Sequence, residues 1–239
     1  MMKKELKCIL ISTVVSLMIV LSSVFGFEKF SNSFELLVVP IITIIYLWKV
    51  RPKAINFTFF MVFYTLGDLV WISGIEAKYD FFYYVTNGLF ILGYVFLLVE
   101  IFKNINFKRV LIAHGLEFFV LIVLLIYMMY VLIKIVKPAT FVTDYKLAVQ
   151  ILELIYNSIL LLLLTSSVLY YIQDTTKKNL VFFLGCTLLV FSELVLIGYY
   201  YMVDDIRLSY VSTSLYIFGF LLLYYQTLMK KETVPFVSS

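Results

Sequence analysis

Apolar residues fill long stretches of this chain, and the short polar turns between them carry most of the charge. Eight such stretches are legible, at 8–26, 33–50, 55–74, 80–102, 110–135, 146–171, 179–201 and 207–229. A run of about 18 or more residues with few charges is long enough to cross the hydrocarbon core of a bilayer as a helix. The pattern predicts an all-α integral membrane protein of eight transmembrane helices. They form a single membrane domain over 1–239, because no turn is long enough to hold a soluble domain. The stretch from Met1 to Gly26 also has the form of a cleavable signal peptide, with a basic start and small residues near its end.

An internal repeat argues for counting that stretch as a span. At an offset of 125 residues, Tyr46–Ile72 overlays Tyr171–Ile197 without a gap. Identities fall at Tyr46/Tyr171, Lys53/Lys178, Phe57/Phe182, Leu69/Leu194, Val70/Val195 and Ile72/Ile197, and Gly67-Asp68 meets Ser192-Glu193. One residue further out of register, Thr86-Asn87-Gly88 meets Ser212-Thr213-Ser214, and Gly93 meets Gly219. The chain thus reads as two four-helix repeats, at about 8–102 and 110–229. Four crossings return the chain to the side it started from. The two copies are therefore parallel, related by an axis along the membrane normal.

Composition agrees: 63% of residues are hydrophobic and 14% charged, against about 25% charged in soluble domains. The net charge of +4 is spread over short loops. It forms no clustered basic face, so nucleic acid is not an expected partner. Thirteen of the nineteen basic residues fall at the termini and in the loops after spans two, four and six; six fall on the other side. By the positive-inside rule the first side is cytoplasmic, which places both termini there and the protein in the cell membrane. Runs such as Phe81-Phe82-Tyr83-Tyr84 and Tyr199-Tyr200-Tyr201 at span ends read as aromatic belts.

Asp68 and Glu193 lie inside spans three and seven. A carboxylate there costs about 2.5–3.5 kcal/mol on insertion scales and marks a functional site by default. The alternative is a structural acid hydrogen-bonded to a neighbouring helix. At about 1.5 Å per residue, Asp68 lies about 9 Å and Glu193 about 12 Å from the outer ends of their spans. Glu153, Asn87 and Thr213 lie at similar depth, and Asn157 is one helical turn below Glu153. These six residues outline a polar pocket in the outer half of the membrane. Asp68 and Glu193 are its candidate catalytic groups; Asn87, Glu153, Asn157 and Thr213 are its candidate binding groups. His114 and Glu117 read as an interfacial pair, while Glu35 and Glu100 lie near span ends. One histidine cannot build a multi-histidine zinc site, and two cysteines suggest no disulfide framework. No Gly-rich phosphate loop or Gly-x-Ser-x-Gly elbow is present. Enzymatic chemistry would rest on carboxylates, with no metal and no cofactor.

Gly67-Asp68-Leu69 and Ser192-Glu193-Leu194 resemble the Gly-Asp and Ser-Asp motifs of the YhhN-like lysoplasmalogenase family, and Val39-Pro40 resembles its Lys-Pro. The resemblance covers nearly the whole chain. It departs at Glu193, where the family usually has Asp, at Val39, and at Gly93-Tyr94, where many members carry a histidine. It implies a hydrolase for the vinyl ether bond of a lysolipid, releasing a fatty aldehyde. Protonation of the outer alkene carbon and capture of the resulting cation by water suit a pair of carboxyl groups. The alternative is a multi-pass transporter or small-molecule binding protein with an acidic intramembrane site, since parallel repeats with polar mid-membrane residues also describe transporters.

Overall fold

The computed structural model describes residues 28–73, 80–136, 146–203 and 205–229. The described residues form eight helices: α1 (Glu28–Lys49), α2 (Ile55–Ile72), α3 (Asp80–Asn104), α4 (Phe107–Ala113), α5 (Gly115–Val136), α6 (Lys146–Gln173), α7 (Lys177–Tyr201) and α8 (Ile206–Leu228). Six of them, α2, α3, α5, α6, α7 and α8, are long and apolar enough to cross a membrane. Within α1, Leu37–Lys49 is apolar. The stretch at 8–26 lies outside the described residues.

The ends of the helices follow local chemistry. Asn106, Thr176 and Asp205 cap α4, α7 and α8, their side-chain oxygens accepting from the amides of Arg109, Asn179 and Arg207. Pro52 sits in the turn between α1 and α2, where no helical hydrogen bond is lost. Pro40 lies inside α1, which continues through it. The stretch expected as one span at 110–135 is two helices. His114 leaves the helical conformation, with φ −135° and ψ 39°, and Gly115 restarts the helix as α5. His114 Nδ1 lies 3.6 Å from Glu117 Oε1, as an interfacial pair would.

Helix neighbours close a ring. In order, α1, α2, α3, α6, α7 and α8 each pack on the next, and α8 returns to α1. Helix α5 stands outside this ring, mainly against α6. The most extensive contacts are α7 with α8 and α2 with α3. Glycines lie at both. A side chain at Gly93 would meet the Phe60 carbonyl at 3.4 Å and the Tyr64 amide at 3.6 Å, ordinary contact distances. One at Gly219 would meet the Leu189 amide at 3.1 Å. Apolar surfaces gain nothing by leaving lipid for each other, so close packing of this kind is what holds membrane helices together.

The polarity of the molecule is inverted relative to a water-soluble bundle. Trp48, Ile112 and Leu116 are at least three-quarters exposed, whereas Asp68, Thr86, Asn157, Ser167 and Ser192 are buried. That is the arrangement a hydrocarbon solvent selects. The ring's interior is aromatic. Phe60 stacks on Phe220 with centroids 5.6 Å apart, and Tyr64 lies within 5.9 Å of Phe60, Phe90, Tyr94, Tyr216 and Phe220.

Candidate functional site

The two acids singled out in the sequence enter this aromatic interior from opposite halves of the chain. Asp68 on α2 is 1% exposed, and the Tyr216 hydroxyl of α8 donates to its Oδ2 at 2.9 Å. Glu193 on α7 is half-buried. Tyr64 of α2 and Tyr94 of α3 both donate to its Oε1, each at 3.2 Å, and their own hydroxyls are 3.1 Å apart. The Tyr156 hydroxyl of α6 also hydrogen-bonds Glu193. Centroids of Tyr64 and Tyr216 are 5.9 Å apart, which joins the two acids into one cluster. No lysine, arginine or histidine is among the partners described for either acid. Neutral hydroxyls, not counter-ions, compensate their loss of water.

Donor supply is reciprocal across the chain. The acid of the first half is held by a tyrosine of the second, and the acid of the second half by two tyrosines of the first together with Tyr156 of its own half. The three oxygens of Tyr64, Tyr94 and Glu193 form a triangle with three short edges. With both hydroxyls donating to Glu193, the edge between the two hydroxyls carries no hydrogen.

Glu193 also opens onto a cleft of about 120 Å³. The cleft sits where α3 and α6 begin and α7 ends. Asn87, Glu153, Asn157 and Glu193 line it, so four of the six expected site residues meet in one place. Asp68 and Thr213 are not in its lining: Asp68 is buried against Tyr216, and Thr213 is half-buried on α8. Tyr201 donates to Glu153 Oε1 at 2.5 Å, and Tyr83 is a second partner of that carboxyl group. Asn87 gives its Nδ2 to the Tyr83 carbonyl at 2.9 Å. Asn157 is 4% exposed, and its Oδ1 has no hydrogen-bond partner among the described residues. Among those residues no group of three or more His, Cys, Asp or Glu side chains gathers to hold a metal.

The tyrosines are what sequence reading missed. The aromatic belts read at span ends do not include them: Tyr64, Tyr94, Tyr156 and Tyr216 lie well inside α2, α3, α6 and α8. A phenol deep in a span needs a hydrogen-bond partner, and that requirement was the available signal. No protein-family model matches this chain, and no curated protein or solved structure matches it either.

Proposed function

We propose that this protein is a multi-pass membrane hydrolase of the lysoplasmalogenase kind, acting on the enol ether bond of a single-chain lipid through Asp68 and Glu193. The observation that carries the reading is the pairing itself. Two carboxyl groups share one tyrosine cluster free of counter-ions, and one of them opens onto a cleft at the end of the bundle. In this reading one acid of the pair adds its proton to the outer alkene carbon. The oxygen-bearing carbon becomes an oxocarbenium ion, which the ionised carboxylate stabilises. Water attacks that carbon and gives a proton to the carboxylate. The hemiacetal then separates into an aldehyde and an alcohol, with one water consumed and the acid pair restored. Glu193 meets the substrate, and Asp68 acts behind it through the tyrosines.

The same proposal includes eight spans in two parallel repeats with cytoplasmic termini. Three features support the repeat. The ring runs α1, α2, α3 and then α6, α7, α8, the same order twice. The Tyr64–Gly93 and Leu189–Gly219 crossings are equivalent at the offsets of 125 and 126 residues. Glu28, Asn32 and Ser33 of α1 stand 125 residues before Glu153, Asn157 and Ser158 of α6. The test is to incubate purified protein with a panel of lysolipids and measure released fatty aldehyde. Release from vinyl ether lipids alone supports the reading; absence of aldehyde from all of them overturns it. A second reading, a binding or transport protein, is favoured by the cleft itself, which gathers Asn87, Glu153, Asn157 and Glu193 at one end of the bundle.

A further inference from the structure

Helix α5 meets the rest of the protein with little of its surface. Only 6% of its apolar stretch is buried, against 28–39% in the other five helices long enough to cross a membrane. One row of its exposed side chains is regularly spaced. Leu116, Val120, Val123, Tyr127 and Tyr130 follow one another at steps of four, three, four and three residues, and each is 49–76% exposed. A 3.5-residue repeat is the pattern of a helix that packs along its length on a parallel partner. Lipid covers an apolar row equally well, so the spacing by itself names no occupant.

Tyr127 names one. It lies twelve residues after Gly115 and nine before Val136, about 18 Å and about 14 Å from the ends of α5. Its side chain is 60% exposed, and its hydroxyl makes no hydrogen bond among the described residues. In a hydrocarbon core about 30 Å thick, that hydroxyl reaches neither surface. An unpaired hydroxyl in hydrocarbon is costly, and lipid tails offer it nothing. Every copy of one chain enters the membrane the same way up. A symmetric pair therefore has its axis along the membrane normal and sets equal depths side by side. A phenol both donates and accepts, so a second Tyr127 completes the bond. The row also stops short of charge: Lys134, in the last turn, turns its ammonium over the Tyr130 ring, 5.6 Å from the centroid.

We propose that α5 is a dimer interface, on which a second copy of this chain packs in parallel through Leu116, Val120, Val123, Tyr127 and Tyr130, with the two Tyr127 hydroxyls hydrogen-bonded to each other. A single polar pair in such a seam fixes its register and the number of partners. None of these five residues lines the cleft, so the pairing stands whether or not the cleft hydrolyses a lipid.

The experiment uses the full chain in membranes, with Cys8→Ser as background; Cys186 is wholly buried and stays. Oxidation of Leu116→Cys or Val123→Cys yields a covalent dimer. Phe191→Cys, at a position 48% exposed on α7, does not. Energy transfer between copies labelled at the C-terminus, in vesicles diluted with further lipid, reads the affinity of the pair. Tyr127→Phe changes only an exposed hydroxyl and leaves the fold intact. It weakens the dimer about 3- to 20-fold, the range for one interhelical hydrogen bond. A Val123→Cys protein that cross-links no more than Phe191→Cys overturns the proposal, as does a Tyr127→Phe protein that dimerises as wild type does. Wild type that is monomeric at every dilution leaves the face to lipid and overturns it too. So does a chain carrying both Ser16→Cys and Val123→Cys that closes a disulfide within one copy, since the stretch at 8–26 then occupies the face.

Discussion

Removing the hydroxyls of Tyr64 and Tyr94 tests how Glu193 is held. Each donates to the same oxygen, Oε1, at 3.2 Å, and the two hydroxyls lie 3.1 Å from each other. With an ionised Glu193, two hydrogens serve three edges, so one edge is empty. A hydrogen bond to a charged group contributes about 1.5–3 kcal/mol, which is about 10- to 150-fold in rate when it is made only in the transition state. If both tyrosines donate directly to Glu193, Tyr64→Phe and Tyr94→Phe each lose that factor. The double variant then loses more than either single one but less than their product, because the two hydroxyls share one acceptor. If one tyrosine donates to the other, the outer one costs less alone, and the double variant matches the inner single variant. The assay is initial rate of aldehyde release from a vinyl ether lysolipid, with thermal unfolding in detergent as a control for folding. Tyr64→Phe and Tyr94→Phe proteins that both stay within about twofold of wild type would refute the claim that these hydroxyls poise Glu193.

Other outcomes follow from the same geometry. Asp68→Asn and Glu193→Gln keep shape and polarity but remove the acid, and each lowers turnover by at least ~10²-fold; normal aldehyde release from both ends the carboxylate mechanism. Glu193→Asp retains activity if the shorter acid still reaches Tyr64 and Tyr94, which the same assay reads. Gly219→Ala forces a methyl group to within 3.1 Å of the Leu189 amide, so it destabilises by about 1–3 kcal/mol, read as a lower unfolding temperature. Gly198→Ala in α7 meets nothing within 4 Å and is neutral or stabilising by up to ~1 kcal/mol. Reporter fusions at residues 30, 77, 140 and 205 read as external, and those at 52, 106, 176 and 239 as internal; an internal signal at residue 77 overturns the orientation.

Hydropathy made the helices legible, because a bilayer imposes one requirement on every span and the sequence answers it directly. Depth along a helix was legible too, and so Asn87, Glu153, Asn157 and Glu193 could be expected together from counting alone. Rotation about the helix axis was not. Asp68 and Thr213 have the right depth but turn away from the cleft, and a single sequence does not say which face of α2 or α8 meets which neighbour. The break at His114 escaped notice because apolar residues continue on both sides of it. Tyrosine was ambiguous for a chemical reason. The same phenol serves at an interface, where water satisfies its hydroxyl, and in a core, where a carboxyl group must.

The crossed supply of donors sets a minimum size for the working unit. A fragment ending after α3 would hold Asp68 without Tyr216, and one beginning at α6 would hold Glu193 without Tyr64 and Tyr94. Asp68 would enter lipid with its tyrosine donor left on the other piece, and Glu193 would keep only Tyr156 of its three. Two such fragments made as separate chains have a reason to find each other that either alone lacks. Cutting the chain between α5 and α6 should therefore yield halves that are unstable singly and restore each other when produced in the same membrane.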